Sequence, residues 1–307
     1  MTGADDLVLP FQIEGSPVRG RIVRLGASID TILTRHAYAP PVSRLVGELT
    51  ALTAMLGAGL KFDGKLIVQT SGEGPLSMAV ADYSTDGALR AYAGVRQGRE
   101  AEASNAANAG ALIGGGHLAM TVDQGPDMDR YQGVTPLDGD TVEDWALGYF
   151  SQSEQIPTAV KLAVGGVVSP GGEERWRAGG VLAQLMPEEG GERGVAADSD
   201  ADAEEAWRRA ETLLATTQDD ELLDPTLAPE ALLYRLFHED GVRVFDPRGV
   251  RFGCGCSRAK IKRVLSQFSD EELEDMAEAG EIRVSCEFCN EAYLFDPATL
   301  IKARSDA

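Results

Sequence analysis

The sequence predicts an α+β protein that carries a small cysteine-rich module at its C-terminal end. Three observations predict it. Strand-like runs come in meanders, with helices grouped between them, which argues against regular βαβ alternation. Leu45, Leu49, Leu52, Leu56 and Leu60 recur at spacings of three and four and mark one long helix among the strands. All four cysteines of the 307-residue chain lie in its last fifth, as Cys254-Gly255-Cys256 and Cys286-Glu287-Phe288-Cys289. Two close pairs of soft sulfur donors suit a tetrahedral Cys₄ zinc site, each pair supplying one edge; the same pairs could also close as two local disulfides.

Taken in order, Leu7–Ile13 and Val18–Leu25 read as strands around the turn Glu14-Gly-Ser-Pro17. Pro40-Pro41 opens the leucine helix, to which Ala51, Ala54 and Ala58 add propensity. A meander follows: 66–70 and 76–80 flank a Gly-Pro turn, and Thr85-Asp-Gly87 turns into 89–93. Residues 96–110 lack a period and read as loop or short helix. Gly114-Gly-Gly leads into a strand, His117–Val122, so it reads as a turn or bulge; it also lacks the spacing of a phosphate-binding loop. Asp140-Thr-Val-Glu143 starts a helix with Val142, Trp145, Ala146 and Tyr149 on one face, Pro157 ends it or lies just beyond, and strands follow at 159–168 and 179–186.

Composition changes after Pro187. Nine acids and three arginines crowd Glu188 to Glu211, a solvated stretch running into a polar helix. Leucines from Leu213 to Leu236, with Phe237, then give an apolar helical region interrupted at Pro225 and Pro229. We read 1–187 as a mixed sheet-and-helix core domain, 188–249 as an acidic then helical linker, and 250–307 as the zinc-binding module. In that module Ser257 caps a helix with Ile261, Val264, Leu265 and Phe268 on one side. Ser269-Asp-Glu-Glu272 is a capping box for a second helix that stops near Gly280. Ile282–Ser285 approaches the C-x-x-C turn and Ala292–Phe295 leaves it. So short a module has little core of its own, and metal ligation would supply part of its folding energy.

Net charge is −21, which repels phosphate backbones and argues against general nucleic-acid binding. No apolar run approaches the roughly 18 residues of a membrane span, and no secretory signal is visible, so a cytoplasmic location is expected, with cysteines kept reduced. A zinc-ribbon nucleic-acid or ribosome-associated protein is the alternative, supported by Arg258, Lys260, Lys262 and Arg263. An enzyme is rejected: four cysteine ligands leave no open position for water, and His36, His117 and His238 lack any motif context.

At these residues the chain resembles the heat-shock protein thirty-three family, the redox-regulated holdase chaperones of the bacterial cytosol. The matching stretches are Leu233-Tyr-Arg-Leu-Phe-His238, Phe252-Gly-Cys-Gly-Cys-Ser257, and Cys286-Glu-Phe-Cys289 with Tyr293-Leu-Phe295. Tyr131-Gln-Gly-Val134, Tyr149–Gln155 with Pro157, and Gly180–Pro187 also match, so the likeness runs nearly end to end. The acidic segment 188–205 is longer than the family needs. The resemblance implies that Cys254, Cys256, Cys286 and Cys289 ligate one Zn²⁺ per chain in a reduced, inactive form. It implies that oxidation joins Cys254 to Cys256 and Cys286 to Cys289, releases zinc and unfolds the module. The 188–249 linker would then loosen as a regulated client-binding region and capture unfolding client proteins without ATP, as a homodimer. A ring closed across one residue is small and strained, relieved in part by Gly255, which suits a reversible bond.

Overall fold

The computed structural model describes residues 5–125, 128–168, 171–186 and 200–305. It separates into two compact units, Met1–Phe252 and Gly253–Ala307. Pro187 and most of the acidic segment 188–205 lie outside the described residues; from Asp200 onward the chain is helical.

In the first unit, β1 (Leu7–Ile13) and β2 (Val18–Leu25) form the expected hairpin. Helix α1 (Ala27–His36) follows and was not foreseen. Its cap is remote: the Asp6 carboxylate accepts from the amides of Gly26 and Ser28 at 3.0 and 3.2 Å. Helix α2 (Pro40–Gly57) is the leucine helix, with proline in its first turn where no amide is needed. It ends three residues before Leu60. Thirteen of its eighteen residues are buried, so it runs through the core rather than along a surface.

The meander is β3 (Lys65–Gly72), β4 (Leu76–Ser84) and β5 (Ala88–Val95). The aperiodic stretch resolves into two short helices, α3 (Glu100–Ser104) and α4 (Ala109–Ile113). Strand β6 (Gly116–Asp123) is as expected, and β7 (Tyr131–Pro136) pairs with it unforeseen. Helix α5 (Val142–Tyr149) has a Thr141 capping box and buries the four residues assigned to its face. It then widens into a π turn over Phe150–Glu154 before Pro157. Strands β8 (Thr158–Val168) and β9 (Glu174–Leu185) follow. The leucine-rich stretch gives α6 (Asp200–Leu214), α7 (Asp219–Leu223) and α8 (Pro229–Phe237), with both prolines at the breaks. Three short strands close the unit: β10 (Val242–Val244), β11 (Arg248–Gly249) and β12 (Arg251–Phe252).

These strands form two sheets, ordered β10-β1-β2-β9-β8 with β11 also on β1, and β12-β5-β4-β3-β6-β7. Pairing is antiparallel except between β12 and β5. Helix α2 contacts both sheets, and the larger core collects around it, including Leu45, Leu49, Leu52, Val23, Val68 and Trp145.

The first sheet is apolar on both faces. Alternation sends Val8, Val23 and Leu182 toward α2, while Leu9, Phe11, Ile22 and Val181 point the other way. That second face would be a large exposed apolar patch if left bare. It is covered by Ala210 and Leu214 of α6, Leu222 of α7, and Leu232, Leu233, Leu236 and Phe237 of α8. Phe237 stacks on Phe11 at a centroid distance of 5.7 Å. The aliphatic stripe read from the sequence is therefore the cover of a hydrophobic sheet. Among the described residues no helix is long and apolar enough to cross a membrane.

The second unit holds α9 (Arg258–Leu265), α10 (Asp270–Asp275), the hairpin β13 (Ile282–Ser285) and β14 (Ala292–Phe295), and α11 (Pro297–Ser305), which was not foreseen. Its core is Leu265, Leu273, Ile282, Phe295 and Leu300, with Ile261 and Phe268 packed against it. Val264, expected on the same side, is 55% exposed, because the helix is only two turns long and its one inward edge is taken by Ile261 and Leu265. Helix α10 stops at Asp275 rather than near Gly280. The residues up to Gly280 instead form a tight turn, with left-handed Ala279 and Gly280 and a bridge between Glu278 and Glu281.

Candidate metal centre

The four cysteines sit on two local devices. Cys254 and Cys256 lie on the loop entering α9, whose N-terminus is capped by the Ser257 hydroxyl accepting from the Lys260 amide at 3.2 Å. The Lys260 ammonium turns back and donates to the Gly255 carbonyl at 2.6 Å, pinning the Cys-Gly-Cys turn from below. Cys286 and Cys289 lie in the loop between β13 and β14. The Cys286 amide donates to the Glu291 carbonyl at 2.9 Å, and the Asn290 amide donates to the Cys286 carbonyl at 2.8 Å. Asn290 adopts a left-handed conformation, φ 54°, which asparagine tolerates and which folds the Cys-x-x-Cys turn back on itself.

The ligand atoms of all four residues lie within 4.8 Å of one another. The Cys254 and Cys286 sulfurs are 3.7 Å apart, and those of Cys256 and Cys289 3.3 Å. A tetrahedron with metal–sulfur bonds near 2.3 Å has edges of about 3.8 Å. The donor set and its spacing therefore fit a metal ion, and four thiolates are compatible with zinc. Cys289 is buried and the other three are half-buried, so the cluster is shielded but within reach of small solutes.

Burial raises the pKa of Cys254 and of Cys289, holding both thiols protonated when nothing draws the proton away. Burial also opposes ionisation of Cys256. There it is outweighed by hydrogen bonds, first from Tyr293 and then from the neighbouring thiols, and the Cys256 pKa falls to about 7. The Tyr293 hydroxyl lies 3.3 Å from the Cys256 sulfur, and that bond pushes the phenol itself up to about 12. One sulfur is thus poised to ionise first.

The structure brings together all four cysteines singled out in the sequence. Tyr293 and Lys260 complete the setting and had not been assigned to it. Tyr293 shares a face of β14 with buried Phe295, two residues on, so alternation places its ring toward the module's interior and leaves the hydroxyl in need of a partner. Of the four basic residues that suggested nucleic acid, two have local partners. Lys260 holds Gly255, and the Arg258 guanidinium lies 4.4 Å over the Phe295 ring. The histidines are elsewhere: His36 stacks on Tyr38, His117 bonds Ser71, and His238 lies by Tyr234.

Known proteins resemble this chain over nearly its whole length. The family model described as Hsp33 protein matches residues 6–296. A 33 kDa chaperonin of Caulobacter vibrioides is 48% identical over 298 residues, covering 95% of each chain. One from Escherichia coli K12 is 34% identical over 298 residues, covering 97% of this chain and 94% of the other. The crystal structure of a 33 kDa chaperonin from Thermotoga maritima superposes with a TM-score of 0.77 at 23% identity, covering 98% of this chain and all of the other, and shares the fold.

Proposed function

Since this chain belongs to the Hsp33 protein family, we propose that it is a chaperone that binds unfolding proteins without ATP and is switched on by oxidation. It would act in the cytoplasm by holding clients rather than by turnover. The observation that carries the reading is the cluster of four cysteine sulfurs within 4.8 Å, in a chain whose leucine-rich helices cover an apolar sheet face. Cys254, Cys256, Cys286 and Cys289 would hold one Zn²⁺ in the reduced state. Bound there, zinc would keep the four sulfurs as thiolates and tie the loop to the hairpin.

Oxidation by a peroxide would convert each cysteine pair to a disulfide. Two thiolates lose two electrons to the O–O bond, which takes up two protons and leaves as two waters. We assign the pairs Cys254–Cys256 and Cys286–Cys289 from the family resemblance. Sulfurs of the two loops touch, Cys254 with Cys286 and Cys256 with Cys289, so closing each bond within a pair would give up contacts between loop and hairpin. Disulfide formation would leave no thiolate for the metal and remove the tie that stabilises a small module. The 200–249 stretch would then release from the sheet, exposing Leu9, Phe11, Ile22 and Val181 to clients, and the active form would be a homodimer.

The test is light scattering from a thermally unfolding client, with zinc release and free thiols counted on the same samples. Peroxide-treated protein should suppress aggregation, with about one zinc released and four thiols lost per chain, while reduced protein should not. Equal suppression by both forms, or zinc retained after oxidation, would overturn the switch.

A further inference from the structure

The cover over the first sheet is held by more than apolar contact. At one end of that face two arginines are buried: Arg24 of β2 is 2% exposed and Arg177 of β9 is 8% exposed. Arg24 donates from Nη1 to the carbonyls of Glu221 and Leu222, at 3.1 and 2.9 Å. From Nη2 it donates to the carbonyl of Asp224 at 2.6 Å and to that of Leu227. Arg177 donates from Nε to the Leu223 carbonyl at 2.7 Å, and its other nitrogens hold the Asp5 carboxylate at 2.8 and 2.5 Å. Every hydrogen bond that the Arg24 guanidinium makes among the described residues goes to the main chain of one short segment, 221–227.

The sheet is shaped to admit that main chain. In register, Arg24 stands opposite Gly179, and Arg177 opposite Gly165. A side chain at Gly179 would meet the Leu222 carbonyl oxygen at 2.4 Å, and one at Gly165 would meet the Leu223 side chain at 3.1 Å. Two forked cations and two glycines on neighbouring strands therefore form a notch that fits a peptide backbone, and its hydrogen bonds to 221–227 all go to main-chain carbonyls.

We propose that this notch is a receptor for peptide carbonyls, filled in the closed state by residues 221–227 and, once they leave, by the main chain of the client. The proposal rests on release of the 200–249 stretch. An apolar face alone would hold an unfolding chain at the cost of stranding the chain's carbonyls away from water. A guanidinium offers five donors in a fixed fork and remains charged, so it can satisfy several carbonyls of any sequence. That suits a protein whose clients share no motif.

The test uses oxidised, zinc-free protein and reduced, carboxymethylated α-lactalbumin as a permanently unfolded probe. Fluorescence anisotropy is compared for wild type, Arg24→Met and Arg24→Lys. Both variants should bind about tenfold more weakly, the loss expected for hydrogen bonds from a charged donor. If apolar contact alone holds the client, Arg24→Met enlarges the apolar face and binds as well as wild type or better, which overturns the proposal. A second measurement needs no variant: phenylglyoxal labelling of wild-type arginines, mapped by mass spectrometry. Arg24 and Arg177 should resist the reagent in reduced zinc-loaded protein, react in oxidised protein, and be protected again by saturating probe. Continued labelling with probe bound overturns the receptor while leaving the holdase intact. Persistent protection without probe shows that 221–227 never leaves, and overturns the proposal together with the release step beneath it.

Discussion

The Tyr293 hydroxyl lies 3.3 Å from the Cys256 sulfur; when that sulfur is a thiolate the hydroxyl is the donor, and such a bond favours the ionised form that ligation requires. Removing it should loosen the metal without changing the ligand count. Tyr293→Phe is expected to release zinc to a colorimetric chelator about tenfold more readily than wild type, still at one ion per chain, since losing a hydrogen bond to a metal ligand costs about 10–100-fold in affinity. Unchanged release would confine Tyr293 to packing. The cysteines were legible because each pair is local in sequence and its spacing carries the chemistry. Tyr293 and Lys260 were not, because which sulfur or carbonyl they reach depends on how the β13–β14 hairpin and the α9 loop meet.

The contact between α7 and the sheet is close enough to break with one side chain. Gly179→Val places atoms against the Leu222 carbonyl, a main-chain group that cannot swing aside as a flexible side chain could. The clash should weaken docking of the 200–249 stretch by about 2 kcal/mol, typical of overpacking. Limited proteolysis of the reduced variant should cut that stretch faster than in wild type, and the freed face should suppress aggregation partly without oxidant. Wild-type cleavage rates would show that the segment accommodates the change. Elements of this size differed in how readable they were. Pro225 and Pro229 gave the breaks around α7 and α8, and Ser269 announced its helix through a side chain three residues from its partner. Helix α5, read as starting at Asp140–Glu143, is capped one residue on, by Thr141 with Asp144. Helix α1 stayed hidden because its cap, Asp6, comes from about twenty residues upstream. Strands β10 to β12, two or three residues each, are too short for alternation to register.

The two units differ in what holds them together. The first builds its own cores around α2 and beneath α6–α8, whereas the second, among its described residues, buries only five hydrophobic side chains around its centre besides Cys289. A strong chelator added to reduced protein should therefore strip amide-exchange protection from Gly253–Ala307 and leave that of α2 and of strands β3, β4 and β6 intact. A module that kept its protection after losing the metal would have a stabiliser other than the cysteine site. At this scale the sequence was least informative: the α+β class followed from the order of runs, but pairing of β2 with β9 joins residues more than 150 positions apart, and no local signal specifies it. The same topology has a consequence for how far a disturbance can travel. A tear that begins at Gly253 and runs toward the N-terminus meets Arg251–Phe252 on β5 first, with the Arg251 guanidinium on Asp86 at 2.7 Å. It then meets Arg248–Gly249 and Val242–Val244 on β1, before it reaches Phe237. Seven strand-paired residues in three short stitches thus form a seam between the cysteines and the sheet cover. If oxidation of the sulfurs starts such a tear, the strength of the stitching sets how far it runs.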